Sequence, residues 1–391
     1  MSPWSTEGDG PAGDPLPRGR IDVAICGAGV MGAMLAERLA GAGLSVAIVD
    51  RRRPAAGSTA ASTALVLWEA DVPLADLSAR IGEAEAARRW RAVRRAVDDL
   101  ARRIDGEDFE ADRIDRPSVY IVGDLLDAEG LKREAALRQE KGFPSVYLAP
   151  EETAARFGIA PVACIVSGES YEIDPVKLTL TLLSRATAMG ATASFPVDVL
   201  ALQHEPDGIA LETTAGVLRA DHAILATGYE RARLYLPPAF DLHASYAIAT
   251  TPGTAPLWRE NAMIWQASES YIYARADAAG RIIAGGGDEP FSDARHRDLL
   301  IPEKSAQIAS ELGKLVGTRI VPHERWAAMF GSSPDGLPAI GRAANSERLW
   351  LASGFGGNGI SFAALASEII AAELTGAGHA DADAFRPYRF G

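Results

Sequence analysis

Two glycine-rich runs near opposite ends of the chain, Gly27-Ala28-Gly29-Val30-Met31-Gly32 and Gly354-Phe355-Gly356-Gly357-Asn358-Gly359-Ile360, have the residue types to hold a phosphorylated ligand. In the first, Gly27 permits a tight turn, Gly29 lets the backbone approach a pyrophosphate, and Gly32 lets a helix sit close on a sheet. An apolar run at 21–25 precedes it, an Ala/Leu/Met-rich helical segment follows, and a second apolar run ends on Asp50. Strand, glycine turn, helix, strand and terminal acid make a dinucleotide-binding unit. The pyrophosphate would meet free N–H groups at the positive end of the helix dipole, and Asp50 would accept hydrogen bonds from a ribose. That context separates the run from an ordinary glycine-rich loop. The second run repeats strand, glycine turn and helix over 349–374 and aims another helix N-terminus at something electron-rich. Packing alone would use one or two of its glycines, not four.

Other candidates lie between the two runs. Ser62 and Thr63 fall in GSTAASTALVLWEAD (57–71), beside Ser58 and Thr59. Their hydroxyls suit phosphate oxygens, or equally the start of a capped helix. Thr227 and Gly228 close the apolar run 219–228, as a central parallel strand does where a cofactor crosses its carboxyl end. In YIYAR, Tyr271, Tyr273 and Arg275 alternate. The guanidinium can clamp a carboxylate bidentately while a tyrosine orients it; the other reading is ordinary packing of alternate strand residues. Trp68 and Glu69 are secondary candidates for the same site. Asp288 and Glu289 in GGGDEP read as solvated turn acids, with a place at a substrate mouth as the alternative. Cys26 and Cys164 are the only cysteines, so neither a disulfide framework nor a metal cluster is expected.

These residues need a frame, and 391 residues with 48% hydrophobic content suffice for two domains with buried cores. A net charge of −13 argues against a nucleic-acid partner. The Arg-rich stretch 88–103 reads as a solvated helix face. No uncharged apolar run reaches the ~18 residues of a membrane span. Residues 1–19 lack an apolar signal core and are expected to be a disordered leader, which makes the cytoplasm the default location. Periodicity predicts helices over 83–103, 127–141, 174–189 and 302–316, and strands over 118–122, 146–148, 191–195, 197–203 and 209–213. Alternating runs at 243–251, 262–266, 271–276 and 281–285 predict an antiparallel sheet. The expected class is α/β: a Rossmann-like domain with a central parallel sheet (20–82, 172–235 and 330–391), interrupted by an α+β substrate domain on an antiparallel sheet (83–171 and 236–329).

The GAGVMG opening, the acid ending the second strand, the Ser/Thr segment, the ATG strand, SPDGLPAIG and the closing GFGGNGI together resemble the flavoprotein family of D-amino acid, glycine and sarcosine oxidases. The resemblance covers nearly the whole chain after Arg20. It implies an extended FAD with Gly27, Gly29, Val30, Met31 and Gly32 at its pyrophosphate, and Asp50 (more often Glu in the family) and Arg51 at its adenosine ribose. Ser62 and Thr63 would meet the phosphates, and Val199, Thr227 and Gly228 the adenine half. Gly354, Gly356, Gly357, Asn358, Gly359 and Ile360 would lie along the flavin. The implied chemistry is hydride transfer to flavin N5 from a carbon bearing an amine, in an amino acid or amine substrate, leaving an imine that water hydrolyses. Oxygen or another acceptor then takes the electrons.

Three positions depart from the family pattern. Phe330 stands where amino acid oxidases place a carboxylate-binding arginine, so another arginine serves or the substrate lacks a carboxylate. Ile283 aligns with the lysine by which sarcosine oxidases assist oxygen reduction, which leaves oxidase and dehydrogenase both open. Ala328 falls where some members tether the flavin through cysteine, which implies noncovalent FAD. A 2-hydroxy acid dehydrogenase and a flavin-binding protein without turnover are the alternative functions, and the oligomeric state is open.

Overall fold

The computed structural model describes residues 2–4, 13–106, 109–229 and 236–390. Its elements run β1 (Arg20–Cys26), α1 (Val30–Gly41), β2 (Val46–Val49), α2 (Ser58–Ala61), β3 (Leu65–Val66), α3 (Leu74–Ile81), α4 (Glu83–Gly106), β4 (Ile114–Ile121), α5 (Ala128–Glu140), β5 (Ser145–Leu148), α6 (Pro150–Phe157), β6 (Cys164–Glu172) and α7 (Pro175–Ala188). There follow β7 (Thr192–Ser194), β8 (Val199–Glu205), β9 (Gly208–Thr213), β10 (Gly216–Leu225), β11 (Asp241–Ala249), β12 (Met263–Gln266), β13 (Ile272–Ala276), β14 (Ile282–Glu289), α8 (Ala294–Val316), β15 (Glu324–Ser332), β16 (Ala339–Arg342), β17 (Leu349–Ser353) and α9 (Gly359–Leu374).

An eight-stranded sheet has the order β16-β17-β10-β1-β2-β7, with the β8–β9 hairpin continuing from β10. β1 pairs in parallel with both β2 and β10, and β10 in parallel with β17. Both faces of this core are covered, which is why Val23, Ala24, Ile25 and all four residues of β2 are buried and read as unbroken apolar runs. Helix α1 packs between α7 and α9. Asp174 opens α7 by accepting from the Val176 and Lys177 amides, with Pro175 in the first turn where no donor is missed.

A nine-stranded sheet has the order β15-β11-β14-β13-β12-β4-β6-β3, with β5 on β6. Its pairs are antiparallel apart from β12 on β4. Period-two alternation sends Ile272, Ala274 and Ala276 of β13 into the core under α8, where they join Ile308 and Leu312. Tyr273 and Arg275 take the opposite face. The two sheets meet across that face.

Several expectations need correction. The described part of the leader is tied down at two points: the Asp14 amide donates to Ala193 O at 2.8 Å, and Trp4 Nε1 donates to Ser62 O at 2.7 Å. Residues 1 and 5–12 lie outside the described residues. Helix α8 begins at Ala294, eight residues before the expected start at 302, because Asp293 caps it through the His296 amide. GGGDEP is not a turn, since β14 runs on to Glu289. The arginines of α4 do not form a free solvated face: Arg89 pairs with Asp335 at 3.0 Å, Arg95 with Asp381 at 2.5 Å, and Arg103 with Glu37 at 2.5 Å. Helix α4 packs its apolar side on α9. Among the described residues no helix is long and apolar enough to cross a membrane, and no group of His, Cys, Asp and Glu could hold a metal ion.

Candidate cofactor and substrate site

One cavity is lined by both glycine runs and by the open face of the nine-stranded sheet. At its first end, Gly27 leaves β1 with φ +116°, and a Cβ there would collide with the Ala226 carbonyl oxygen. Only glycine makes this turn. Gly29 precedes α1 without any side-chain cap, so Gly29, Val30 and Met31 present helix-start backbone to the cavity. The Val30 amide donates to Thr59 Oγ1 at 3.0 Å. Asp50 braces the loop through Oδ2, which accepts from the Ala28 amide at 2.7 Å, and through Oδ1, which accepts from the Arg52 amide at 2.8 Å. Asp50, Arg51, Ser62, Thr63, Val199, Thr227 and Gly228 all line this end. Gly32 does not: a Cβ there would collide with the Gly27 carbonyl oxygen, and its task is close helix packing. Cys26 also lines the cavity, its thiol pushed up to about 12 by burial and so inert as a nucleophile.

At the far end, Gly356, Gly357, Asn358, Gly359 and Ile360 line the cavity at the start of α9, again without a side-chain cap. Gly356 has φ +53°. Gly354 is not among them: it is crowded by the Phe240 ring, which explains a glycine there without any ligand. Asp71, which no spacing rule marks, reaches this loop. Its Oδ2 accepts from the Gly357 amide at 2.9 Å and its Oδ1 from Asn358 Nδ2 at 3.1 Å. Protein surrounds Asp71 closely, yet its side chain remains accessible from the cavity it lines. Burial, helped by repulsion from Asp288, pushes its carboxyl up to about 6 against the pull of the Gly357 amide.

The sheet face opposite carries Tyr271, Tyr273, Trp265, Ser245, Ala328 and Phe330. Tyr273 lies over its cross-strand partner Gly285, where a Cβ would collide with the phenol. The Tyr271 and Tyr273 ring centroids are 5.8 Å apart. Burial first, then Asp288, pushes the Tyr273 hydroxyl up to about 12, and the same two causes hold Tyr271 well above the usual phenol value. Both therefore act as neutral hydrogen-bonding groups. Asp288 stands next to them at the end of β14. Its two oxygens are buried and make no hydrogen bond of ordinary geometry, although the Ser245 and Tyr271 hydroxyls both act on it. Burial raises this carboxyl too. The expectation of a solvated acid is thus reversed.

Arg275 does not reach the cavity. Its Nε donates to Thr63 O at 2.6 Å, Nη1 to Ala276 O at 3.0 Å and Nη2 to Ile173 O at 3.2 Å, and Nη1 pairs with Glu172 at 3.4 Å. The guanidinium is spent on internal partners and cannot clamp a carboxylate. Trp68 and Glu69 are also absent from the site. The Trp68 ring stacks on Phe143, and Glu69 pairs with the buried Arg138 at 2.8 Å. Beyond Asp71, the lining residues that the sequence did not mark include Ser245, Trp265 and Tyr229, whose Oη accepts from the Phe355 amide at 2.7 Å.

Two uncapped helix starts, a strand-end acid and hydroxyl donors in one continuous cavity fit an extended dinucleotide with a second glycine-rich contact at its far end. That donor set on this two-sheet fold defines a flavin-dependent oxidoreductase. The family model described as FAD dependent oxidoreductase (DAO) matches residues 22–373, and the chain belongs to that family. A curated relative, glycine oxidase of Bacillus licheniformis, is 23% identical over 361 residues, covering 92% of this chain and 94% of its own. The bifunctional tRNA 5-methylaminomethyl-2-thiouridine biosynthesis protein of Burkholderia pseudomallei is 26% identical over 401 residues, and the match spans 91% of this chain but only 56% of that protein. Among solved structures, glycine oxidase from Geobacillus kaustophilus superposes with a TM-score of 0.75 at 19% identity, over 95% of this chain and 99% of its own. L-Proline dehydrogenase from P. horikoshii gives 0.78 at 20% identity, over 96% and 98%.

Proposed function

We propose that this FAD-dependent oxidoreductase oxidises the C–N bond of an amino acid or amine, releasing an imine that water hydrolyses. The observation that carries the reading is the placement of Tyr271 and Tyr273 across one cavity from the Gly356–Gly357 loop, so that a small substrate can lie between them. The names of the similar proteins, glycine oxidase and L-proline dehydrogenase, support a substrate in which carbon bears nitrogen. FAD, when bound, supplies the hydride acceptor.

The chain's own residues do the holding. Gly27, Gly29, Val30 and Met31 would face the pyrophosphate, Asp50 and Arg51 the ribose, Ser62 and Thr63 the phosphates, and Gly356, Gly357, Asn358, Gly359 and Ile360 the flavin. The eight-stranded sheet thus serves the cofactor and the nine-stranded sheet the substrate. Ala328 lines the cavity where a tethering cysteine would fall, which supports noncovalent FAD. Acid precipitation should therefore release all of the flavin.

The test is anaerobic bleaching of the holoenzyme by amino acids, N-methyl amino acids, amines and 2-hydroxy acids. Bleaching by nitrogen compounds is expected; bleaching by hydroxy acids alone would overturn the reading. Oxygen uptake compared with dye reduction identifies the acceptor.

A further inference from the structure

We propose that Glu134, Arg138 and Glu69, none of which lines the cavity, are positioning residues for its far end. They hold segment 67–71 so that Asn358 is kept from capping α9 and the first turn of that helix stays open to the flavin. The inference rests on the assignment of Gly356 to Ile360 to the flavin and extends it to residues outside the cavity.

The three side chains form one buried cluster. The Arg138 guanidinium forks between two acids, Nε donating to Glu134 at 2.7 Å and Nη1 to Glu69 at 2.8 Å. Glu134 accepts in turn from the Leu74 and Ala75 amides at the start of α3, each at 2.8 Å. Glu69 also accepts from Ser167 Oγ at 2.8 Å. The cluster therefore grips the chain at 69 and again at 74–75. Stability does not account for it. Arg138 Nη2 and Glu69 Oε2 are buried without hydrogen-bond partners, and a buried ion pair commonly adds nothing over apolar residues of the same volume. What such a pair can supply is a single fixed arrangement.

The gripped segment holds the start of α9. Ser361 Oγ donates to Leu67 O at 2.6 Å, the Gly357 amide to Asp71 Oδ2 at 2.9 Å, and Asn358 Nδ2 to both Glu69 O and Asp71 Oδ1 at 3.1 Å. Both partners of Nδ2 are acceptors, which fixes the orientation of that amide. Asparagine is among the best capping residues, and Asn358 occupies the N-cap of α9. Yet it makes no capping bond, and its ψ of 41° lies outside the extended region that a capping residue adopts. Its side chain is drawn to segment 67–71 instead. The first turn of α9 thus keeps its amides and the positive end of its dipole for the cavity, where they favour negative charge on a reduced ring.

The test measures the reduction potential and the Kd of FAD in reconstituted holoenzyme, and needs no substrate. The potential reads the difference between affinities for reduced and oxidised flavin, so a general loosening of the fold moves Kd and leaves the potential alone. Arg138→Met should make the potential more negative, weakening reduced FAD about 10-fold more than oxidised FAD, the share of one hydrogen bond to a charged group. If that variant does not fold, Glu69→Leu with Arg138→Met removes both charges together and should give the same shift. Arg138→Lys, one donor in place of a fork, should fall between. In an Asn358→Ala background no cap can form, and Arg138→Met should then produce no shift. A potential unchanged by the loss of Arg138, or a shift that persists in the Asn358→Ala background, overturns the inference and leaves C–N oxidation standing. A Cβ at Gly359 would meet no protein atom within 4 Å, so Gly359→Leu obstructs only what the cavity holds. An unchanged Kd for FAD in that variant removes the flavin assignment itself.

Discussion

Arg275 Nε donates to the carbonyl oxygen of Thr63 at 2.6 Å, so a side chain of the nine-stranded sheet holds the loop that lines the Asp50 end of the cavity. Replacing it by methionine leaves that carbonyl without its donor and Glu172, 1% exposed, with Arg116 alone at 3.2 Å. Arg275→Met is expected to cost about 3–5 kcal/mol in denaturant unfolding, as breaking a buried ion pair does. FAD affinity should fall with it. A variant of unchanged stability with only a raised KM would return Arg275 to the substrate.

The two cofactor glycines should fail differently. Gly29 has ordinary φ, and a Cβ there would come within 3.0 Å of Thr59 Oγ1, so Gly29→Val crowds the proposed phosphate cradle without bending the chain. Circular dichroism should be unchanged while the Kd for FAD rises at least ~10-fold, the loss of one charge-assisted contact. Gly27→Ala adds a left-handed residue and a backbone collision, so the apoprotein itself should lose about 1–3 kcal/mol.

Asp71 gives a pH signature. Its carboxyl titrates at about 6 in the folded chain and near ~4 in an unfolded one. Between those values the folded state holds the proton more tightly, so Asp71's contribution to stability is complete below about pH 4 and is lost as pH rises through about 6. Asp71→Asn removes that loss. The Tm of the variant relative to the parent should therefore climb across this window and level off above it. If a substrate ammonium passes its proton to Asp71, kcat/KM of the parent should fall below about pH 6 with a limb the variant lacks.

Trp4 fastens the N-terminal segment to the same loop through its bond to the Ser62 carbonyl, and its ring lies 5.4 Å from the Arg275 guanidinium carbon. Trp4→Ala should weaken FAD binding by about 5-fold, equivalent to roughly 1 kcal/mol for one hydrogen bond. Fluorescence titration of the apoprotein measures it, and an unchanged Kd would separate this segment from cofactor retention.

Legibility followed the range of the interactions. The parallel core could be read because the apolar run of β1, the glycine turn and Asp50 lie within one continuous unit whose rules are local. Gly356 to Ile360 were readable for the same reason. Arg275 was not: in sequence it alternates with Tyr273 as a substrate-facing residue would, and what disposes of it are the carbonyls of Thr63 and Ile173, 212 and 102 positions away. Asp288 was read as a turn acid because of its neighbours. Three consecutive glycines read as a turn, whereas Gly285 here keeps a strand bare so that the Tyr273 ring can lie on it. Asp71 carries no pattern at all, since its role arises only when the end of one segment meets the loop before α9.

The antiparallel face presents Ser245, Tyr273, Ala328 and Phe330 from three strands whose backbone bonds do not depend on those side chains. The residues at the Asp50 end of the cavity come from other elements, and of these four the Tyr273 hydroxyl acts on Thr63. Single exchanges at Ser245, Ala328 and Phe330 are therefore expected to shift substrate preference at constant flavin content. For engineering, those three positions are the place to build a saturation library, with flavin content as a constant internal standard.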